Sequence, residues 1–209
     1  MSGQLSLDRA ERHAKDRLSD NSCRWSVTMP RMDESRPFIP VRIAVLTVSD
    51  TRTPKDDKSG DTLATLVRDG GHELADKAIV KDDIAQIRAK VEGWIADPTI
   101  DVVITTGGTG FTGRDVTPEA LRPLFEKEFD GFSALFHMIS YQKIETSTMQ
   151  SRACGGVSHG TYIFCLPGSP GACRDGWNEI LRWQLDNRHR PCNLVEMIPR
   201  LEEHRRPAG

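Results

Sequence analysis

An apolar run followed by a loop of glycines and threonines constrains the fold of this chain more than any other segment. Residues 101–104 form a run that is short enough, and rich enough in β-branched side chains, to be a buried strand. The next nine residues contain four glycines and four threonines. Thr117, Pro118 and Glu119 then indicate a helix start, with a capping hydroxyl, a proline at the first helical position and an acid in the first turn. The segment therefore predicts a strand, a loop and a helix.

A loop of this composition exposes backbone N–H groups, which suit an anionic ligand at the carboxyl end of a sheet. The spacing of Gly107, Gly108, Gly110 and Gly113 does not fit the Gly-x-Gly-x-x-Gly pattern, and no Gly-Lys-Ser/Thr follows as in a Walker loop. A plain tight turn is the alternative, because glycines between a strand and a helix often serve only that purpose. Phosphate binding and a tight turn both stay open on this segment alone.

From Val41 onward the chain alternates strand and helix signals. The predicted elements, in chain order, are a strand at residues 43–48, a helix from Ser59 or Gly60 to Gly70, a strand that reaches Val80, a helix capped by Asp82 or Asp83, the strand at 101–104, a helix with Phe129, Phe132, Phe136 and Ile139 on its core face, and a strand at 161–166 followed by a helix. This order predicts right-handed crossovers over a mostly parallel sheet. The expected fold class is α/β, a three-layer α/β/α sandwich.

Three regions divide the chain: a polar N-terminal extension at residues 1–37, one domain at residues 38–195, and a C-terminal tail at residues 196–209. The extension lacks the continuous apolar segment of a secretory signal, and its acidic residues argue against a transit peptide. A start codon assigned too early would explain it, and so would a tail that packs on a neighbouring subunit. Both explanations stay open.

The bulk composition excludes several classes of protein. A formal net charge of −2 leaves no basic field for nonspecific binding of nucleic acid. The mean hydropathy is −0.46, and no apolar stretch approaches the ~18 residues of a membrane span. Five cysteines include no Cys-x-x-Cys pair, so we expect buried free thiols and a cytoplasmic location. We therefore expect a chain that binds neither nucleic acid nor a membrane.

Polar loops follow each of four predicted parallel strands, and ligands of an open parallel sheet bind at that edge. The residues concerned are Ser49 and Asp50 after the first strand, Asp82 after the second, Gly107, Gly108, Thr109, Gly110, Arg114 and Asp115 after the third, and Pro167, Gly168 and Ser169 after the fourth. Arg114 adds a phosphate-binding charge, and the loop after the fourth strand opens a helix, which offers a second anion site. The sequence therefore predicts a site for phosphate-bearing ligands.

Asp82 and Asp115 are the main candidates for chemistry. Two aspartates that converge on phosphates would bind Mg²⁺, which takes one or two carboxylates together with phosphate oxygens and water. Asp82 is equally well explained as a helix cap, whereas Thr117 already fills the cap position near Asp115. Cys154, which lies beside two glycines, is a weaker candidate for a nucleophile.

Several segments together resemble the molybdopterin-binding family of molybdenum cofactor biosynthesis. The segments that carry the resemblance are residues 43–50 (IAVLTVSD), 59–61 (SGD), 106–110 (TGGTG), 114–120 (RDVTPEA), 151–152 (SR) and 166–170 (LPGSP). They occur in the family's order, and the resemblance covers about residues 38–195. The resemblance is specific because all of the segments are present.

The resemblance implies a three-layer α/β fold, a homotrimer or homohexamer and, for active members, adenylylation of molybdopterin with ATP and Mg²⁺. It also implies that Asp82 and Asp115 are the family's two acidic positions of catalysis and metal binding, and that a molybdate-inserting partner receives the product. The further residues expected at the nucleotide and pterin are Ser49, Asp50, Pro167, Gly168 and Ser169, with Ser151 and Arg152 at the pterin phosphate.

Relatives that do not adenylylate can lack the Arg-Asp pair of the glycine loop, and this chain keeps Arg114 and Asp115. We therefore expect an active transferase. A non-catalytic molybdopterin-binding or carrier protein is the first alternative. A flavodoxin-like electron carrier is the second, but it would need aromatic residues around the flavin, and the loops at residues 49–60 and 105–115 offer only Phe111.

Overall fold

A computed structural model of the chain describes residues 31–205. Most of the predicted N-terminal extension and the last residues of the predicted tail lie outside this range. The strands, in chain order, are β1 (Arg31–Met32), β2 (Arg42–Val48), β3 (Glu73–Val80), β4 (Val102–Thr106), β5 (Lys127–Glu128), β6 (Cys154–Ser158), β7 (Thr161–Leu166) and β8 (His189–Arg190).

The α-helices, in chain order, are α1 (Lys58–Asp69), α2 (Ile84–Ile95), α3 (Thr117–Leu121), α4 (Asp130–Ile144), α5 (Pro170–Gly176) and α6 (Arg182–Gln184). A π-helical segment at Trp177–Leu181 joins α5 to α6, and short 3₁₀ helices lie at Arg122–Leu124, Glu145–Gln150, Val195–Arg200 and Glu203–Arg205. No helix in the described part of the chain is long and apolar enough to cross a membrane.

Six strands form the central sheet in the order β3-β2-β4-β7-β6-β5. The first four run parallel to one another, and β6 runs antiparallel to both of its neighbours. The predicted α/β class with a mostly parallel sheet is therefore confirmed. The sequence pattern does not indicate β6, because Gly155 and Gly156 interrupt the run of strand-forming residues. These glycines make room for rings, since a Cβ on Gly156 would lie 2.5 Å from Phe125 Cγ.

Helices cover both faces of the sheet, as the three-layer prediction requires. Successive residues of a strand point to opposite faces, so Ile43 and Val45 of β2 face one layer while Ala44 and Leu46 face the other. The first layer is built by α1, α4 and α5 and contains Leu63, Phe132, Phe136 and Trp177. The second layer is built by α2 and α3 and contains Ile87, Val91, Trp94 and Leu121. The predicted core packing of Phe132 and Phe136 is confirmed, because both are buried.

The segments next to the predicted domain boundaries contact the domain. β1 pairs antiparallel with β8. The Arg36 guanidinium donates a hydrogen bond to the Asn187 carbonyl (2.7 Å), and the Asn187 amide donates to the Pro37 carbonyl (2.9 Å). At the other end, Arg205 forms an ion pair with Glu126 at 2.5 Å. Residues 31–37 and the described part of the tail are therefore held by specific contacts.

Candidate functional site

The carboxyl ends of β2, β3, β4 and β7 meet at one edge of the sheet, where a cavity of about 270 Å³ opens. Its lining residues are Thr47, Val48, Ser49, Thr51, Arg52, Asp57, Ser59, Asp82, Thr106, Gly107, Gly108, Asp115 and Gly168. Six of the predicted site residues lie in this set: Ser49, Asp82, Gly107, Gly108, Asp115 and Gly168. Parallel strands that end together explain why loops distant in sequence form one cavity.

Asp115 lines the cavity, and its carboxylate stabilises the fold of the glycine loop. It accepts hydrogen bonds from the Thr112 backbone N–H (2.9 Å) and from the Thr112 hydroxyl (2.6 Å). Burial tends to raise the pKa of Asp115, but the hydrogen bonds from Thr112 and the Gly110 N–H outweigh burial and hold the pKa below its ordinary value. The carboxylate is therefore ionised at neutral pH.

Asp82 is free of the capping role that the sequence left open, because its neighbour Asp83 caps α2. The Asp83 carboxylate accepts a hydrogen bond from the Gln86 N–H at 2.9 Å. Burial raises the pKa of Asp82, and the nearby charges of Asp50 and Asp115 raise it further. Asp82 and Asp115 therefore lie close enough for one charge to disfavour the other.

The two central glycines of the loop are required by close packing. Gly107 has a φ of +103°, and a Cβ there would lie 2.1 Å from the Val48 carbonyl oxygen. The Gly107 N–H donates to the Leu166 carbonyl at 3.1 Å. This amide is therefore not available for a ligand, which corrects the prediction for this N–H group of the loop. Gly108 has a φ of +61°, and a Cβ there would lie 2.7 Å from Asp82 Oδ1. A side chain at position 107 or 108 would therefore keep the loop from packing this closely against Val48 and Asp82.

Thr117 does not cap α3, which corrects the sequence prediction. Val116 holds the cap position, and no side-chain hydrogen bond closes this helix end. The Thr117 hydroxyl instead donates to the Gly107 carbonyl at 2.8 Å, and the Thr117 N–H donates to the Gly108 carbonyl at 3.0 Å. The Thr117 hydroxyl therefore stabilises the turn at Gly107 and Gly108.

Asp57, which was not among the predicted site residues, lines the cavity and caps α1. The helix begins at Lys58, before the predicted start at Ser59 or Gly60, because the Asp57 carboxylate accepts from the Gly60 N–H at 3.0 Å. Asp57 is fully buried and also accepts from the Thr47 hydroxyl at 2.9 Å. An aspartate three residues before the bonded N–H is a common N-cap pattern, so local spacing could have identified it.

Asp50 and Arg114 form an ion pair between two loops at this edge. The guanidinium donates from Nε and Nη2 to the two carboxylate oxygens at 2.9 and 2.8 Å. Asp50 and Ser49 also line an adjoining cavity of about 540 Å³, which includes Arg52 and Lys81. Since Ser49 and Arg52 line both cavities, the two spaces meet at the loop after β2.

The loop after β7 packs against the glycine loop. The Pro167 carbonyl accepts from the Thr106 hydroxyl at 2.9 Å, and the Gly168 carbonyl accepts from the Ser59 hydroxyl at 3.0 Å. Ser169 caps α5, because its hydroxyl accepts from the Ala172 N–H at 3.1 Å. Gly168 lies in the cavity lining, whereas Pro167 and Ser169 do not line it.

The segment before β6 brings Arg152 to the glycine loop, whereas the Ser151 backbone contacts Thr148 and His137. Arg152 donates to the carbonyls of Gly110 (2.7 Å) and Asp115 (2.8 Å), so its guanidinium contacts the loop backbone. The Ser151 hydroxyl is buried and has no hydrogen-bond partner among residues 31–205. Like Thr109, Gly110 and Arg114, these two residues lie outside the lining of the smaller cavity.

Cys154 is a strand residue and is fully buried, opposite Cys165 in the β6–β7 pairing. Its burial fits the expected buried thiol and argues against the weaker prediction that Cys154 is a nucleophile. Within the described residues, no group of three or more His, Cys, Asp or Glu side chains is arranged to hold a metal ion. A metal ion bound at this cavity would need oxygens of a ligand in addition to any carboxylates of the lining.

Comparison with known proteins connects this site to a family. The family described as "Probable molybdopterin binding domain" matches residues 44–187. Molybdenum cofactor biosynthesis protein B of Escherichia coli (strain K12) is 52% identical over 160 residues, which cover 77% of this chain and 94% of that protein. The protein of the same name from Bacillus cereus is 46% identical over 146 residues, which cover 69% and 86%.

Solved structures share the fold as well. A crystal structure of molybdenum cofactor biosynthesis protein B matches with a TM-score of 0.72 at 40% identity and covers 82% of this chain and 100% of that chain. The tungsten cofactor synthesizing protein MoaB from Pyrococcus furiosus matches with a TM-score of 0.63 at 30% identity, covering 81% and 98%. Segments 149–152 and 190–193 predict a resemblance to protein B within the family, and the similarity to protein B over most of the chain confirms that resemblance.

Proposed function

This chain belongs to the molybdopterin-binding family of molybdenum cofactor biosynthesis proteins, and on that premise we propose that it binds molybdopterin and adenylylates it with ATP and Mg²⁺. In this reaction the terminal phosphate of molybdopterin attacks the α-phosphorus of ATP. A new phosphoanhydride bond forms as the bond from the α-phosphorus to the bridging oxygen breaks. The products are adenylyl-molybdopterin and pyrophosphate.

The convergence of Asp82 and Asp115 on one cavity is the observation that carries this proposal. The two carboxylates follow different strands, and their mutual charge effect contributes to the raised pKa of Asp82. A divalent cation would relieve that repulsion, so the donor set fits Mg²⁺. Asp82 and Asp115 would hold Mg²⁺, which supplies neutralising charge to the triphosphate.

Nucleotidyl transfer needs positioning and charge neutralisation more than a protein nucleophile. Among residues 31–205 the Gly108 N–H has no hydrogen-bond partner, and Gly108 lines the cavity. This amide would donate to a phosphate oxygen, and Arg114 would exchange Asp50 for a phosphate. Ser49 would donate its hydroxyl from the opposite wall of the cavity. These groups need no rearrangement of the sheet.

The sizes of the two cavities support a division of the substrates. The smaller one, at about 270 Å³, suits phosphate groups, since whole ligands usually occupy about 300–1,000 Å³. The adjoining space of about 540 Å³ begins at Ser49 and Arg52 and would hold part of the remaining nucleotide or pterin. Phosphates would therefore lie at the glycine loop, with a ring system beyond it.

A carrier that binds molybdopterin without adenylylating it is the second candidate. The observation that favours it is the Asp50–Arg114 ion pair, because this contact occupies the cation that the transferase reaction would use. A carrier would bind molybdopterin in the same cavity and pass it on unchanged.

Self-association is part of the proposal. Helix α4 buries Phe132 and Phe136 in the core, yet its outer face exposes a stripe spaced by three residues. The stripe consists of Leu135 (49% exposed), Met138 (52%), Tyr141 (56%) and Ile144 (52%). Apolar stripes of this kind mark protein contacts, which supports a homotrimer or homohexamer. A molybdate-inserting protein is the proposed recipient of the product.

The decisive experiment incubates the purified protein with molybdopterin, ATP and Mg²⁺ and follows adenylyl-molybdopterin and pyrophosphate by mass spectrometry. A transferase forms both products in equal amounts, and formation stops when Mg²⁺ is chelated. Tight binding of molybdopterin without either product would contradict the transferase and support the carrier.

A further inference from the structure

The Arg152 side chain reaches the glycine loop because β6 runs antiparallel to the strands beside it. The amino end of β6 consequently lies at the edge where β7 ends. From there Arg152 Nε donates to the carbonyl oxygens of Gly110 (2.7 Å) and Thr109 (3.3 Å). Nη2 donates to the Asp115 carbonyl at 2.8 Å. One guanidinium thus joins both ends of the segment 109–115.

These contacts determine which way the peptide groups of the loop face. The carbonyls of Thr109, Gly110 and Asp115 all accept hydrogen bonds from Arg152, which is not a lining residue of the smaller cavity. Asp115 and Gly108 themselves line the smaller cavity, whereas Arg152 does not. A planar fork of donors holds such a geometry better than a single point charge, because several carbonyls are bound at fixed angles.

Glu119 of α3 completes the arrangement by binding Nη1 of the same guanidinium. Burial tends to raise the pKa of Glu119, but its contact with Arg152 outweighs burial and keeps the pKa below the ordinary value. The Arg152 side chain is 28% exposed, so the loop and α3 enclose most of it. Its charge also favours the ionised form of Asp115, after the larger effects of the Thr112 and Gly110 hydrogen bonds.

The geometry points to Arg152 as a positioning residue that holds the segment 109–115 and aims the Asp115 carboxylate into the cavity, and not as a contact to the pterin phosphate. The catalytic part of this inference rests on the proposed transferase function. The structural part, that the guanidinium holds the loop, does not depend on that function.

The test compares Arg152→Lys with Arg200→Lys as a matched control. The lysine keeps the charge but cannot bridge the three carbonyls. Arg200 is an exposed arginine paired with Glu203, remote from the cavity lining. Hydrogen exchange is measured at the Asp115 and Thr117 amides, which donate within the loop to Thr112 O and Gly108 O. The amides of β4 report on the integrity of the fold.

We expect exchange at the Asp115 and Thr117 amides to accelerate at least about tenfold in Arg152→Lys, with unchanged exchange in β4 and in Arg200→Lys. The kcat of adenylyl transfer should fall about 100-fold in Arg152→Lys, whereas the KM for ATP should change less than about threefold. If Arg152→Lys folds poorly, Glu119→Gln replaces it, because it removes the carboxylate that anchors the guanidinium; it should accelerate the same two amides.

Unchanged loop exchange in both variants, with weakened molybdopterin binding in Arg152→Lys, would overturn the inference and make Arg152 a ligand contact. Absence of adenylyl transfer in the unmodified protein would refute the proposed function alone. The exchange measurement would still decide whether Arg152 holds the loop.

Discussion

Asp57 offers a quantitative test of how the cavity is held together. Its carboxylate is fully buried and has three partners: the Gly60 N–H at 3.0 Å, the Thr47 hydroxyl at 2.9 Å and the Lys77 ammonium at 3.0 Å. Replacing it with alanine removes the cap of α1 and leaves the buried Thr47 hydroxyl without its acceptor. Lys77 keeps a second partner, because Asp61 lies 2.5 Å from its Nζ.

The expected cost of Asp57→Ala follows from these contacts. Loss of an N-cap costs about 1 kcal/mol. The unpaired Thr47 hydroxyl costs roughly 1 kcal/mol more. The Lys77 contribution is below about 1 kcal/mol, since the Lys77 side chain is 23% exposed and its ammonium retains Asp61. The free energy of unfolding should therefore fall by about 2–3 kcal/mol.

Urea unfolding followed by circular dichroism, at one fixed protein concentration, measures this change. With a slope of about 2–3 kcal/mol per molar urea, the midpoint should fall by about 1 M. Asp57→Asn keeps an acceptor oxygen and should cost less than the alanine variant. Asp61→Ala is the matched control, because its side chain is 62% exposed, and it should stay within about 0.5 kcal/mol of the unmodified protein. Equal stability of the two alanine variants would refute the reasoning.

Three further predictions concern chemistry and pH. Asp115→Asn should lower adenylyl transfer at least about 100-fold and leave the circular dichroism spectrum unchanged, because the amide loses the charge that a metal requires; a near-normal rate would contradict the metal role. Arg114→Ala should lower the same rate at least about tenfold with an unchanged melting temperature, because its ion pair with Asp50 is exposed; a normal rate would show that the guanidinium stays on Asp50. Burial lowers the pKa of His72 from 6.5 to about 4, against a smaller opposing effect of Asp186. The unfolded chain therefore takes up this proton near pH 6.5 and the folded chain only near pH 4, so the free energy of unfolding should drop by up to ~3 kcal/mol between those values. Urea titrations should show a flatter pH dependence for His72→Gln, and equal slopes would refute this assignment.

Much of the site could be predicted because its residues follow strands directly. The apolar runs at residues 43–48 and 102–104 identify two parallel strands by composition, and a further strand was predicted to reach Val80. Once the strands are known, the edge rule brings together the loops that carry Ser49, Asp82 and Asp115 without further information. Local signals therefore sufficed for the cavity and its acidic pair.

The roles of individual polar groups were harder to predict, because one hydroxyl or carboxylate has several possible partners. Thr117 has the sequence context of a helix cap, yet its hydroxyl donates to the Gly107 carbonyl. The Gly107 N–H was expected to face a ligand, and it continues the sheet by donating to Leu166. The spacing around Asp57 indicates a helix cap, but its full burial and its contact with Lys77 of β3 appear only in the tertiary structure. The partner that each polar group binds depends on which other groups tertiary packing brings close to it.

The amino-acid sequence by itself determined the α/β class, the order of the parallel strands along the chain and the edge at which polar loops collect, because these follow from periodicity and from local turn chemistry. Only the tertiary structure decided that β6 runs antiparallel and brings Arg152 to a loop 42 residues away in sequence. It also decided that the Asp82 carboxylate does not cap α2, because Asp83 takes that role. Such contacts depend on the packing of segments that are distant in sequence, and a local sequence pattern does not identify the residue that a side chain will contact.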